Sequence, residues 1–141
     1  MGSSTLLIRL RSKKATVNQD ISDSKNKIAA LEDKISRLSE AEKSLSSSIS
    51  DLKAIQSDID DFEVSKSKWQ GETERDFIGK YNSYAIFLKK YKSDTEEAKE
   101  QIEEALENAK EEKSNTSIGL SNLEGILVGL ETDIASAKEN V

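Results

Sequence analysis

The chain of 141 residues has no cysteine, no histidine and no proline. Without cysteine no disulfide framework can staple it, and with histidine missing as well the common thiolate and imidazole metal sites are excluded. The same absences remove the usual general base and the strongest side-chain nucleophile. Large apolar residues are scarce too: hydrophobic residues make up 35% of the chain and aromatic ones 5%, against 34% charged. That balance suits long solvated helices better than a compact globule. No apolar run approaches the roughly 18 residues of a transmembrane helix, so no stable membrane insertion is expected. The segment TLLIRL, residues 5–10, is too short for a signal peptide and is interrupted by Arg9. A net charge of −6 argues against nucleic acid as a partner, because phosphate contacts need clustered Lys and Arg. The one basic cluster, Arg9, Arg11, Lys13 and Lys14, is short and reads as a solvated face.

What is present is periodicity. From Leu10 onward one repeat position reads Leu10, Val17, Ser24, Leu31, Leu38, Leu45, Leu52, Ile59, and its companion Lys14, Ile21, Ile28, Ile35, Glu42, Ile49, Gln56. Apolar residues recurring on this heptad mark a helix packed lengthwise on another. Glu42 and Gln56 weaken the seam locally. The segment SLSSSIS, residues 44–50, has poor helix propensity, yet Leu45, Ile49 and Leu52 keep the period through it. A second stripe reads Phe77, Tyr81, Tyr84, Leu88, Tyr91, Thr95, Ala98, Ile102, Leu106, Ala109. After a polar patch around Lys113 it resumes as Leu120, Leu123, Leu127, Leu130, Ile134, Ala137, Val141. Again the spacing is helical, and no proline interrupts either run.

Between the stripes, Gly71 suits the left-handed residue that ends a helix. Thr73 suits an N-cap, with Asp76 three residues on in capping-box style. These signals predict helix 1 at about 6–68, a turn at 69–73 and helix 2 at about 74–139. Neither stripe can be buried alone, and the turn is short. The expected fold is therefore all-α: a single domain over 1–141, an elongated antiparallel two-helix hairpin with coiled-coil packing, roughly 90–100 Å long. Such a fold has little room for a pocket, and no enzymatic activity, metal or cofactor is expected.

Three features go beyond a hairpin. All seven aromatics, from Phe62 to Tyr91, fall in one window of 30 residues that includes Trp69 at the turn. They either close the tip or meet a partner; Trp69, Ile86 and Phe87 fit the inward stripe less well than Phe77, Tyr81, Tyr84 and Tyr91. Next, the segment SNLEGILVGLETDIAS, residues 121–136, sets Gly125 and Gly129 four apart. Leu120, Leu123, Leu127, Leu130 and Ile134 share one side of this helix, while Ser121, Gly125, Gly129, Thr132 and Ser136 share the other, with Val128 at its edge. Each helical glycine costs about 1 kcal/mol relative to alanine. The small-residue face either docks another helix closely or marks a weakly helical end. Last, residues 94–113 hold nine acids against Lys99, Lys110 and Lys113. Lying along a helix exterior, they read as a solvated face, suited at most to electrostatic matching of a basic partner.

Two long amphipathic helices joined at a bend that carries Trp69 and Gly71 resemble the WXG superfamily of type VII secretion systems. The chain is similar above all to the small helical accessory proteins encoded beside LXG polymorphic toxins of Gram-positive bacteria. That resemblance implies a non-enzymatic targeting factor or chaperone. It would bind the helical N-terminal LXG domain of a toxin, alone or with a second small helical protein, and promote its stability and export. By carry-over, Trp69 and Gly71 mark a recognition tip. With them, Phe77, Ile86, Phe87, Gly125, Val128 and Gly129 form the expected partner-binding set. The resemblance implies a cytoplasmic chain that stays there or leaves with its partner. The Tyr-x-x-x-Asp/Glu motif carried by many substrates of that pathway is missing: Tyr81, Tyr84 and Tyr91 are followed four residues on by Ala85, Leu88 and Thr95. A different class of function fits the same heptads, namely a self-associating coiled-coil scaffold or spacer that forms a homodimer and has no secretion role.

Overall fold

The computed structural model describes the backbone of residues 2–66 and 72–139, and their side chains except at 2, 3, 62–66, 72–74, 76 and 77. Helix α1 spans Gly2–Lys66 and helix α2 spans Glu72–Glu139. The fold is an antiparallel helical hairpin, as the two stripes predict. Its helices begin a few residues earlier than expected. Because α2 starts at Glu72, Thr73 lies inside its first turn instead of preceding it. The expected C′ residue Gly71, together with Trp69, falls outside the described residues.

Helix α1 runs unbroken through SLSSSIS, where Ile49 and Leu52 are buried and Leu45 is half-buried. Burial of the apolar stripe, which outweighs the poor serine propensity, explains this continuity. Hydroxyl residues elsewhere are accommodated by bonding back to the helix: Thr16 donates to the Ser12 carbonyl at 3.2 Å and Thr116 to that of Glu112 at 2.8 Å.

The contacts divide into two compact units, Met1–Ser36 with Glu107–Val141, and Arg37–Leu106. In the first, Leu10 packs with Ile134 and Ala137, flanked by Leu7 and Leu130. Further along, ion pairs cross between the helices, among them Lys14 with Glu131 at 3.8 Å, Lys27 with Glu112 at 3.1 Å, and Lys113 with Glu32 at 3.4 Å. From Leu10 with Ile134, through Lys14 with Glu131, to Lys27 with Glu112, residue numbers rise on α1 as they fall on α2, which fixes the antiparallel sense.

In the second unit Leu52, Ile59 and Leu88 form the core, with Tyr81 and Ala85 against it. The Tyr81 hydroxyl donates to the Ile59 carbonyl. Lys92 Nζ donates to Gln56 Oε1 at 3.0 Å across the helix pair. Here the structure corrects the second stripe. Tyr84 and Tyr91, expected to face inward, are each 54% exposed, while Ala85 and Lys92 take the inward places. Both choices keep a three-four spacing. The inward choice puts a small side chain and a flexible stem beside α1, where two tyrosine rings would force the helices apart.

Candidate partner-binding faces

A hairpin of this kind buries one stripe per helix and leaves the remaining faces to solvent. A functional site must therefore stand on those outer faces, as apolar groups that nothing in the chain covers. Among the described residues no group of acids, histidines or cysteines is arranged to hold a metal ion. No described helix is long and apolar enough to cross a membrane. All nine acids of the 94–113 segment are exposed, and Glu112 and Glu103 pair with lysines, at Lys27 and Lys99.

In the first unit the segment from Ser114 to Leu130 carries a single charged residue, Glu124, in a chain that is one-third charged. Its leucines at 120, 123, 127 and 130 are half-buried toward α1. Gly125 and Gly129 face away, and no side chain or other backbone comes within 4 Å of where a Cβ would stand on either. Val128 is 63% exposed, and Ile118 and Ile126 are exposed with it. The Thr132 hydroxyl is turned back onto the Val128 carbonyl at 3.1 Å, so this face loses one of its outward polar groups. The result is a shallow, uncharged strip floored by glycine and edged by β-branched side chains. Among the described residues no neighbour presses on the glycines. Ile118 and Ile126 were not among the expected site residues, although their off-stripe positions on the helical wheel would have found them.

In the second unit Ile86 is 70% exposed and Phe87 66%. Though adjacent in sequence, they belong to different surfaces. Ile86 edges an open groove of about 370 Å³ lined also by Gln56, Ile59, Asp60, Asn82 and Lys89. Phe87 points to the other flank of α2, the side of Tyr84 and Tyr91, since successive helical residues are turned by about 100°. The two residues expected to act together are thus separated by the helix. For Phe77 the structure describes the backbone, within α2, and not the side chain. Trp69 and Gly71, the expected recognition tip, lie outside the described residues.

Large apolar side chains standing alone on a surface are ordinary, whereas grouped ones on a charged helix pair are not. Among the described residues the glycine-floored strip of the first unit and the aromatic flank of the second meet that description. Neither offers the concave, convergent polar arrangement of a catalytic pocket. Neither a curated protein nor a solved structure matches the chain. A family model does match, over residues 12–132, a span that takes in most of both stripes and of each helix: the chain belongs to the YwqH-like family.

Proposed function

We propose that the chain is a non-enzymatic chaperone or targeting factor of a type VII secretion system. In this reading it binds the helical N-terminal domain of an LXG toxin, keeps it stable in the cytoplasm and helps deliver it for export. The observation that carries the reading is the uncovered strip around Gly125, Val128 and Gly129. A helix that spends two glycines where no neighbour needs the space retains a destabilising feature. Close approach of a foreign helix supplies the compensation: small residues let two backbones come near enough for extended van der Waals contact. A helical toxin domain is a partner of that chemistry, and the YwqH-like membership agrees with it. Ile86 and its groove offer a second, smaller contact for the same partner or for a second small helical protein.

Co-expression with the products of the neighbouring genes, followed by pull-down, tests the proposal. The chain should recover the toxin domain in a defined ratio. Gly125→Leu combined with Gly129→Leu should abolish recovery while helicity is retained, because the added side chains meet open space in the free chain. Recovery unchanged by that pair removes the strip from the interface. A chain that purifies alone and ignores its neighbours' products leaves the scaffold role instead.

A further inference from the structure

On α2 in the second unit, Lys80, Tyr84, Phe87, Tyr91 and Asp94 are all exposed. At about 100° per residue they fall in one strip roughly 80° wide, beside the seam of Tyr81, Ala85, Leu88 and Lys92. Ile55 of α1 is exposed on the same side. It stands one residue before the seam position Gln56, as Tyr84 and Tyr91 stand before Ala85 and Lys92, and in an antiparallel pair such positions share a flank.

The strip is close to a palindrome. Phe87 is its centre, Tyr84 and Tyr91 lie three and four residues to either side, and Lys80 and Asp94 lie seven residues to either side. Its two ends carry opposite charge. An isologous contact requires a patch that complements itself, with residue i meeting j and j meeting i. A two-fold axis at Phe87 gives that match: Lys80 meets the partner's Asp94 twice over, Tyr84 meets the partner's Tyr91, and Phe87 meets the partner's Phe87. A parallel arrangement would set lysine on lysine and aspartate on aspartate, so the charges choose the antiparallel one. An unrelated helix docking on this flank would need no such symmetry.

We propose that this strip is a two-fold interface through which two copies of the chain associate by antiparallel packing of their α2 helices. The toxin-binding strip lies in the other unit, so the two assignments stand or fall separately. The three aromatics offer roughly 300–400 Å² of exposed surface per copy, short of the approximately 800 Å² per partner of a standard interface. The dimer is therefore concentration-dependent, not obligate.

Sedimentation velocity over a wide concentration series should show reversible self-association of the full chain. Lys80→Glu and Asp94→Lys should each weaken it by about tenfold. An equal mixture of the two should restore it, because each Lys80–Asp94 contact is then replaced by, or kept as, an opposite-charge pair. The natural absence of cysteine allows a direct geometric check. Under mild oxidation Phe87→Cys should form a disulfide-linked dimer, and Ile86→Cys, on the opposite flank, should not. Circular dichroism should find all four variants as helical as the parent, since each position is exposed. A chain that stays monomeric throughout the series, equal crosslinking at 86 and 87, or a mixture of charge variants that fails to associate would overturn the assignment. So would a Phe87 that becomes covered only when a toxin domain is bound.

Discussion

Gln56 and Lys92, one on each helix, occupy facing seam positions and bond to each other at 3.0 Å. Gln56 interrupts the apolar heptad of α1, and Lys92 does the same on α2. Each defect is answered by the other, and only one alignment of the helices brings them together. A polar pair in an otherwise apolar seam costs stability and specifies register. Its value therefore lies in excluding slipped pairings.

Gln56→Leu alone should lower stability by about 1 kcal/mol, since it leaves the Lys92 ammonium beside an apolar neighbour. Gln56→Leu with Lys92→Leu should raise stability above the parent by about 1 kcal/mol or more, as replacing buried polar pairs with packed apolar ones often does. Urea denaturation of the full double-mutant cycle measures both. A double variant less stable than either single one would contradict the assignment of the pair to register.

The displaced tyrosines give a sharper contrast. Leu88 is buried against Leu52 and Ile59, so Leu88→Ala should cost about 2–4 kcal/mol. Tyr91→Ala, at an exposed position three residues away, should change stability by no more than about 0.5 kcal/mol. Tyr81→Phe should fall between them at about 1 kcal/mol, through the lost bond to the Ile59 carbonyl. Thermal unfolding followed by circular dichroism separates these values. A large cost for Tyr91→Ala would restore it to the inward stripe.

These cases show what the sequence could and could not say. Every seam position read on α1, from Leu10 to Gln56 and Ile59, is buried or half-buried, polar members included. Heptad spacing was sufficient there: it keeps Gln56 in the seam even though apolar Ile55, which is exposed, stands beside it. On α2 residues 81–92 offer two interleaved candidates at the same spacing, and the bulk of Tyr84 and Tyr91 favours the wrong one. The seam takes Ala85 and Lys92 because close helix contact rewards fit, not hydrophobicity alone. The polar patch at Lys113 likewise hides continuity. Lys113 is half-buried in register and pairs with Glu32, so the stripe passes through it. For the candidate site, the wheel placed Gly125, Val128 and Gly129 correctly on an outer face, but it could not show that the face is uncovered. That depends on what α1 reaches, which no local pattern encodes.

The ion pairs of the first unit should be nearly silent. Lys14 with Glu131, Lys27 with Glu112 and Lys113 with Glu32 all join side chains that are about two-fifths exposed or more. Exposed pairs are worth about 0–1 kcal/mol and are screened by salt. Lys27→Ala should accordingly shift stability by less than about 0.5 kcal/mol, and less still at high ionic strength. Denaturation curves at low and high salt test this. A salt-independent loss well above that value would mean that the lysine stem, not its charge, carries the contact.

The glycines of α2 provide the test that joins stability to function. Gly79, Gly125 and Gly129 lie inside a helix with nothing within 4 Å of the Cβ position. At sites without steric cost, glycine to alanine should stabilise by about 0.5–1 kcal/mol each, through propensity and the entropy of the unfolded chain. Gly125→Ala with Gly129→Ala should thus raise stability by roughly 1–2 kcal/mol in the free chain. Gly79→Ala serves as the reference, because it carries the same helical gain outside the proposed strip. If a foreign helix packs on Gly125 and Gly129, the paired substitution should weaken that complex even as the free chain becomes more stable, while Gly79→Ala should leave it unchanged. Opposite signs for folding and binding at 125 and 129 cannot come from a general change in the hairpin. Equal effects at all three glycines would show that the strip owes its small residues to something other than a docked helix.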